Sequence, residues 1–303
     1  MFKKLANEVK IIEVGPRDGL QNESVSISLE DKLRYIELLA KSGLQVIEAT
    51  SFVRTDKIPQ MADAEGLFAK LKMKDFFDRV DFPCLVPNMK GYELASNVGV
   101  KEISLFSATS DEFTKKNINC TIDESFQRMK PVADQAKLDG VKIRGYISTA
   151  FGCPYAGEMS AAKLAKVIER FMELGVYEVS IGDTIGIGTP SQVNEYIQDI
   201  KSVIALDQVA MHFHDTRGMA LANVLVSIEN GISSFDSSSG GLGGCPYANG
   251  ATGNIATEDV LYLLNSLGVK TGVDLNQVVE ASKFILEKVN KTSPSKYFQT
   301  LTK

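Results

Sequence analysis

The sequence is poor in several residues that mark particular classes of protein. Its 303 residues include four cysteines, two histidines and no tryptophan. The cysteines are far apart and form no CxxC pair, so they do not indicate a disulfide framework. No apolar run is long enough to span a bilayer, and the N-terminus has neither the apolar segment of a signal peptide nor the character of a transit peptide. We therefore expect a reduced, cytoplasmic protein.

An excess of positive charge is also missing. The chain has 33 basic and 38 acidic residues, a net charge of -5, and no basic run. These values disfavour binding to nucleic acid or to an anionic membrane. An anionic ligand stays open, because a local cation or metal can invert the sign of the charge at a site. Hydrophobic residues at 44% and charged residues at 23% are ordinary for a globular protein, which excludes disorder, collagen and coiled coil.

What the sequence does contain is a repeated alternation of two patterns. Short β-branched runs alternate with longer stretches of helical period. The predicted strands are Val9–Val14, Gln45–Thr50, Phe82–Val86, Glu102–Ser107, Lys142–Thr149, Glu178–Gly182, Val209–His214 and Ser234–Ser238. The predicted helices include Leu29–Ser42, Ala62–Leu71, Ile122–Asp139, Ser160–Leu174, Pro190–Val203, Met219–Asn230 and Asn254–Leu267. Eight strands alternating with helices predict an α/β fold, a (β/α)8 TIM barrel, over a doubly wound sheet, which usually has fewer strands.

Helix boundaries and the lack of linkers support one domain. Ser28 and Thr121 each precede acidic residues, as N-caps do. Glycines stand where four helices should end, at Gly43, Gly140, Gly175 and Gly231. No Pro/Gly/Ser linker divides the chain. We predict a single catalytic domain over 1–303, with the barrel over about 9–270 and a helical C-terminal extension over 274–303.

Unusual polar residues follow five of the predicted strands. They occur in the segments Gly15–Glu23, Glu48–Ser51, Gly182–Gly186, His212–Thr216 and Ser237–Tyr247. Active sites of (β/α)8 barrels lie at the carboxyl ends of the strands. All five segments fall on that rim, and the sequence therefore predicts an enzyme.

The two histidines form a candidate metal site with Asp18. His212 and His214 are two residues apart on a strand, so their side chains point to one face, roughly 7 Å apart along the chain. Asp18 follows strand 1, which neighbours strand 8 in a closed barrel, and strand 8 neighbours strand 7. Two imidazoles and one carboxylate suit Mn²⁺, Fe²⁺, Co²⁺ or Zn²⁺, and Mg²⁺ if other oxygens complete an octahedron. The alternatives are solvent-facing or core histidines and an Asp18 that caps a helix.

Arg17 and Glu48 are candidates for a charged pair beside that site. A permanent cation next to a metal fits an anionic intermediate such as an enolate. Glu48 lies in an apolar strand, where a charged residue must be paired or functional. Arg17 can pair with Glu48 for structural reasons, and the two interpretations are compatible.

Cys245 is a candidate acid on a glycine-rich loop. The glycines before it, Gly240–Gly244 with one leucine, predict a loop able to close over a substrate. A thiol there can donate or accept a proton near neutral pH. The motif Gly-Cys-Pro-Tyr also occurs at Gly152, which makes Cys153 an alternative. Cys84 and Cys120 are predicted to be small core residues.

Phosphate binding has weaker support. No glycine-rich stretch matches a dinucleotide fingerprint or a P-loop, which disfavours nucleotide hydrolysis and hydride transfer. Lys115 and Lys116 follow predicted strand 4 on the active rim and could meet phosphates. The alternative is a solvated surface, the commoner place for a short charge run.

Together these motifs resemble hydroxymethylglutaryl-CoA lyases. The resemblance runs from about Val9 to Ser295. It rests on the segments Gly15–Glu23 (GPRDGLQNE), Ile47–Val53 (IEATSFV), Gly182–Pro190 (GDTIGIGTP), His212–Thr216 (HFHDT) and Gly241–Ala248 (GLGGCPYA). The Arg-Asp and His-x-His motifs are shared with homocitrate and isopropylmalate synthases. The glycine loop with Cys-Pro-Tyr is specific to the lyases.

The resemblance implies a TIM barrel with a divalent metal, Mg²⁺ or Mn²⁺. It implies the metal ligands Asp18, His212, His214 and Asn254. It also implies catalytic roles for Arg17, Glu48 and Cys245, the last in preference to Cys153, and for Asp18 or His212 as the base. The implied reaction cleaves (S)-3-hydroxy-3-methylglutaryl-CoA to acetyl-CoA and acetoacetate. We expect an acyl-CoA substrate whose phosphates meet Lys115 and Lys116, a homodimer as the candidate assembly, and no nucleic acid or membrane partner.

Several alternatives and departures accompany this prediction. The enzyme could act on a related 3-hydroxy-3-methyl acyl-CoA or run as a condensing synthase. A non-catalytic metal-binding protein or a non-haem iron oxygenase are more distant possibilities. Ser239 and Gly240 stand where the lyases usually have an aliphatic residue and alanine, and Arg217 stands where many have tyrosine. These positions are not implied ligands, and we expect them to affect loop rate or substrate tolerance.

Overall fold

A computed structural model describes residues 5–244 and 253–301. Its main sheet has nine strand segments, paired in parallel throughout. The strands are β1 Lys10–Glu13, β2 Val46–Ile47, β3 Thr50–Ser51, β4 Cys84–Leu85, β5 Glu102–Ala108, β6 Lys142–Ser148, β9 Glu178–Asp183, β10 Val209–Phe213 and β11 Ser234–Ser237. A short antiparallel hairpin, β7 Gly152–Cys153 and β8 Gly157–Glu158, lies beside the sheet.

The sheet closes on itself. Its order is β2-β1-β11-β10-β9-β6-β5-β4-β3, so β2 and β3 stand at the two ends. Only two residues separate them in the chain. The backbone N–H of Glu48 donates to Glu13 O at 2.9 Å, and that of Ala49 donates to Pro83 O at 3.1 Å, so this one stretch bonds to both edges. The result is a barrel with eight strand positions, which confirms the predicted (β/α)8 fold.

Helices follow the strands around the barrel. They are α1 Leu29–Lys41, α2 Ala64–Leu71, α3 Met89–Val98, α4 Asp111–Ile118, α5 Ile122–Leu138, α6 Ala161–Glu173, α7 Pro190–Ile200, α8 Ala220–Glu229, α9 Thr257–Ser266, α10 Leu275–Val289 and α11 Lys296–Leu301. Ser28 and Thr121 cap α1 and α5 as predicted, and Thr121 forms a full capping box with Glu124. No helix in the described part of the chain has the length and apolar composition to cross a bilayer.

One helix prediction needs a correction. Helices α3 and α4 add to the predicted set, and α4, which follows β5, contains Lys115 and Lys116. Helix α9 begins at Thr257, whereas the pattern predicted a start at Asn254. Asn254 instead forms an isolated bridge with His214, and its backbone is held by the strand end rather than by a helix.

Helices α10 and α11 lie within the predicted C-terminal extension. Helix α10 packs against α1 and against the glycine-rich turn Ser239–Gly241. Its buried face includes Val278, Ile285 and Leu286. The extension therefore covers the root of the loop that leads into the predicted active rim.

Candidate active site

A single π-helical turn, Gly15–Gly19, follows β1 and presents Arg17 and Asp18 at the rim. The carbonyl of Val14 accepts the N–H of Asp18 at 2.8 Å and that of Gly19 at 3.2 Å. Gly15 is required because a Cβ there would lie 2.3 Å from the hydroxyl of Tyr35. This tight turn therefore places Asp18 at the carboxyl end of the barrel, close to His212 and His214.

The structure brings Asp18 together with both histidines. One ligand atom from each of Asp18, His212 and His214 lies within 4.8 Å of the other two. The two imidazole centroids are 5.3 Å apart, as expected for side chains on one face of a strand. The cause is the strand order, because β1 pairs with β11 and β11 pairs with β10. The residues form a possible metal site at the carboxyl end of the barrel.

Buried atoms without partners mark the same place. Nδ1 of His214 and Oδ1 of Asn254 are buried and accept or donate no hydrogen bond within the described structure. The Asn254 amide donates to Asp18 Oδ2 at 2.8 Å, which places its free oxygen beside the cluster. Buried polar atoms normally have partners. An imidazole nitrogen and an amide oxygen without partners, next to the Asp18 carboxylate that accepts from Arg17 and Asn254, fit a divalent cation.

The protonation states also fit a cation site. Burial would raise the pKa of Asp18, but the positive charge of Arg17, the largest opposing influence, holds it below its ordinary value. Burial and the neighbouring His212 lower the pKa of His214 to about 4. Both residues therefore hold no proton near neutral pH, which is the form that binds a metal.

The buried carboxylate of Asp236 contacts the Nδ1 atom of His212. Asp236 Oδ2 lies 3.2 Å from His212 Nδ1, and Arg144 donates to Asp236 Oδ1 at 2.7 Å. Arg144 and Asp236 have almost no solvent exposure. A carboxylate on the second imidazole nitrogen fixes the orientation of a metal-binding histidine. Neither residue was predicted, although both are charges inside predicted strands, the signal that identified Glu48.

Arg17 is held between two carboxylates. Its Nε donates to Glu48 Oε2 and its Nη1 to Asp18 Oδ1, both at 2.7 Å. Its Cζ lies 5.3 Å from the centre of the Tyr146 ring. Burial raises the pKa of Glu48, and Arg17 opposes that rise. The guanidinium is therefore paired with Glu48 and also lies at the rim beside Asp18, where its catalytic role stays a prediction.

Comparison with known proteins agrees with this geometry. The sequence model of the HMGL-like family matches residues 8–285. A mitochondrial hydroxymethylglutaryl-CoA lyase of Mus musculus is 48% identical over 99% of this chain and 91% of its own length.

The chain belongs to the hydroxymethylglutaryl-CoA lyase family.

Solved structures of this family superimpose closely. The hydroxymethylglutaryl-CoA lyase of Pseudomonas aeruginosa is 45% identical, with a TM-score of 0.94 and 98% of each chain covered. The lyase of Acinetobacter baumannii, solved with coenzyme A and 3-methylmalate, is 32% identical. Its TM-score is 0.91, with 97% of this chain and 95% of that chain covered.

The remaining predicted residues lie away from the cluster. Lys115 and Lys116 are exposed in the last turn of α4, and within the described ranges no hydrogen bond or ion pair joins them to the cluster. Arg217, where many lyases of the family have tyrosine, donates to the carbonyls of Ile185 and Gly186 at 3.0 and 2.9 Å. It therefore braces the loop after β9.

The two cysteine motifs differ in what the structure describes. Cys245 lies outside the described residues. Cys153 is buried, and its thiol lies 3.1 Å from the hydroxyl of Ser110 and accepts the backbone N–H of Ala156 at 3.4 Å. These contacts support a structural position for Cys153.

Proposed function

We propose that the protein cleaves (S)-3-hydroxy-3-methylglutaryl-CoA to acetyl-CoA and acetoacetate. The observation that carries this proposal is the convergence of Asp18, His212 and His214 within 4.8 Å, in a chain of the hydroxymethylglutaryl-CoA lyase family. Arg17 lies beside that cluster with a permanent positive charge. A cation next to a metal site suits a reaction that passes through an enolate.

Asp18, His212, His214 and the amide oxygen of Asn254 would hold the metal. We propose Mg²⁺ or Mn²⁺, because two of the four donors are hard oxygens. When bound, such a metal acts as a Lewis acid that lowers the pKa of a substrate hydroxyl.

The protein side chains move the protons and stabilise the charge. Asp18 or His212 accepts the proton of the C3 hydroxyl as the C2–C3 bond breaks, which leaves a ketone on acetoacetate and the bond electrons in the enolate of acetyl-CoA. The guanidinium of Arg17, oriented by Glu48, stabilises the enolate oxygen. The thiol of Cys245 gives its proton to the enolate carbon and completes acetyl-CoA.

A product assay tests the reaction and its alternatives. Metal-stripped protein is supplied with Mg²⁺ or Mn²⁺ and with candidate acyl-CoAs, and the products are identified by mass spectrometry. We expect acetyl-CoA and acetoacetate in equal amounts, only with metal present. Condensation of acetyl-CoA with a 2-oxo acid would show a synthase instead, and exclusive cleavage of a related acyl-CoA would redefine the substrate.

Variants test the assigned residues. His214→Ala and Asp18→Asn should each weaken metal binding in calorimetry, and full affinity in both would place the metal elsewhere.

Arg17→Lys keeps the charge but loses the planar fork, so kcat should fall roughly 10²–10³-fold with KM little changed. A change confined to KM would make Arg17 a ground-state binder.

The acid is tested by comparing the two cysteine motifs. Cys245→Ser should bind metal but turn over roughly 10²–10⁴-fold more slowly, because a hydroxyl gives up its proton far less readily than a thiol. Substrate analogue should also protect Cys245 from alkylation. Normal turnover by Cys245→Ser, or an inactive Cys153→Ser, would exclude this assignment.

We also propose that the substrate's phosphates contact Lys115 and Lys116, on the rim after β5. Lys115→Ala and Lys116→Ala should then raise KM with kcat unchanged, and an unchanged KM would remove them from the binding site.

We also propose that the chain folds as a single catalytic domain, is located in the cytoplasm and forms a homodimer. Limited proteolysis, cell fractionation and analytical ultracentrifugation test these three in turn.

A further inference from the structure

Glu13 has a fully buried carboxyl group that the proposed reaction does not use. It ends β1 and has no solvent exposure. Its Oε1 accepts the backbone N–H of Gly15 at 2.8 Å and that of Ser239 at 2.9 Å. Its Oε2 accepts the hydroxyl of Thr257 at 2.7 Å. Among the described residues no cation pairs with it, unlike the carboxylates of Glu48 and Asp236.

The three donors belong to the segments that carry the site. Gly15 opens the π-helical turn that contains Arg17 and Asp18. Thr257 opens α9, three residues after Asn254. One side chain therefore joins the segments of two proposed ligands that are 236 residues apart and share a 2.8 Å hydrogen bond.

The third donor, Ser239, starts the glycine-rich turn. Gly240 and Gly241 follow it with φ of +70° and +67°, a conformation that favours glycine. The chain then reaches Leu242, whose carbonyl accepts the amide of Asn254 at 3.2 Å. The position of this turn thus also bears on Asn254.

A second buried contact holds the same turn. The hydroxyl of Ser239 is hydrogen-bonded to that of Tyr35 in α1, and neither residue is exposed to solvent. The turn in this chain is therefore fixed by polar contacts to both β1 and α1.

We propose that Glu13, with the Tyr35–Ser239 pair, is a positioning element that sets the distance between Asp18 and Asn254 and thereby the metal affinity of the site. The inference rests on the proposed function only for the assignment of these two residues as ligands. Glu13 touches neither substrate nor metal in this role. It acts through the π-helical turn and the start of α9.

Glu13→Ala and Glu13→Gln in the full-length chain distinguish an effect on the positions of Asp18 and Asn254 from a general loss of stability. Glutamine keeps an oxygen for the two backbone N–H groups, and its amide can donate to the Thr257 hydroxyl. Glu102→Ala is the control, because Glu102 is also buried but starts β5 at the opposite end of the barrel, where it accepts the hydroxyl of Tyr177. Mn²⁺ affinity of the metal-stripped proteins is measured by calorimetry, with kcat, KM and thermal unfolding alongside.

We expect Glu13→Ala to weaken Mn²⁺ binding about 10–100-fold, as loss of a supporting contact to metal ligands does. kcat should fall more than KM rises. Glu13→Gln should recover the affinity to within about threefold. Glu102→Ala should lose stability and keep its affinity. Wild-type affinity in Glu13→Ala, or an equal loss in Glu102→Ala, would overturn the inference.

Tyr35→Phe keeps the inference testable if Glu13→Ala does not fold. It removes one buried hydrogen bond and no charge, so Mn²⁺ affinity should fall about fivefold. An affinity equal to wild type would exclude a role for the pair. Mn²⁺ affinity does not depend on the identity of the acyl-CoA. A protein that binds Mn²⁺ but fails to cleave the proposed substrate would therefore contradict the proposed function alone.

Discussion

Two buried carboxyl groups on neighbouring strands have pKa values shifted in opposite directions. Asp236 on β11 faces the barrel interior, and burial alone would raise its pKa, but Arg144 and His212 hold it far below the ordinary value. Glu13 on β1 faces α1 and α9, and burial raises its pKa to about 8 despite three hydrogen-bond donors. The nearest cation, not burial, decides which carboxylate is charged.

The opposite pKa shifts of Asp236 and Glu13 reflect two kinds of contact that position the residues of the site, ion pairs and hydrogen bonds to neutral donors. The interior of the barrel holds an ion network in which Arg144 joins Asp236 to Glu178, with both pairs at 2.7 Å. The layer between barrel and helices holds Glu13 through neutral donors. A charged network depends on every partner, whereas a hydrogen-bonded one tolerates an uncharged substitute of the same shape.

The largest expected effect is the loss of the cation in the interior network. Arg144→Met should leave Asp236 buried without its permanent cation and Glu178 with Lys10 as its remaining cation, and the free energy of unfolding should fall by about 3–5 kcal/mol. Urea unfolding measures it. Arg54→Met is the control, because Arg54 pairs with Asp56 on the exposed surface, and it should cost at most about 1 kcal/mol. Equal losses would show that burial of the network does not matter.

Removing the charge from Asp236 should have the next largest effect. Asp236→Asn removes the negative charge behind His212, and metal affinity should fall about 10–100-fold in calorimetry. Ser180→Ala is the matched control, since it removes only the 2.6 Å hydrogen bond from the Ser180 hydroxyl to Asp236. That variant should lose less than about fivefold. A larger loss of metal affinity in Ser180→Ala than in Asp236→Asn would show that the Ser180 hydrogen bond, and not the charge of Asp236, orients His212.

The protonation of Glu13 predicts a pH dependence of stability. Its pKa is raised in the folded state, so folding takes up a proton, and the stability present at low pH is lost as the pH rises from about 4.5 towards 8. The ionisable groups that face it are Tyr35 from α1 and Glu258 from α9. Its share of the loss should be about 1.4 kcal/mol per pH unit between about pH 5.5 and 7.5.

Glu13→Gln should abolish that share, because glutamine does not titrate and Glu258 remains in both proteins. Urea unfolding of wild type and variant across this pH range measures the difference in slope. Parallel stability curves would mean that Glu13 is ionised in the folded protein, and the contrast with Asp236 would then disappear.

The smallest expected effect concerns Cys153, a buried thiol that belongs neither to the ion network nor to the contacts of Glu13. Cys153→Ser keeps the contact to Ser110 and to the backbone of Ala156. We expect a stability change within about 1 kcal/mol and near-normal turnover. Thermal unfolding and the lyase assay check both. A large stability loss would show that a neutral buried contact can matter as much as the ion network.

The pairing of Asp18 with the histidines was predictable because it follows from topology. Once eight strands are recognised, closure puts strand 1 beside strand 8 and strand 8 beside strand 7. The spacing of His212 and His214 then fixes their common face.

The start of α9 was predicted wrongly, because the helical period around Asn254 does not show that its backbone bonds to the end of a strand.

Local patterns in the sequence by themselves determined the alternation of strands and helices, the helix caps and the residues on the rim, since each depends on neighbours in the chain. Only the tertiary structure decided that Asp236 supports His212, that Arg144 compensates it, and that Glu13 joins the segments of Asp18 and Asn254. Those contacts join residues from 24 to 244 positions apart. Their strength depends on burial and on the direction of each side chain, which are properties of the closed barrel and its surrounding helices.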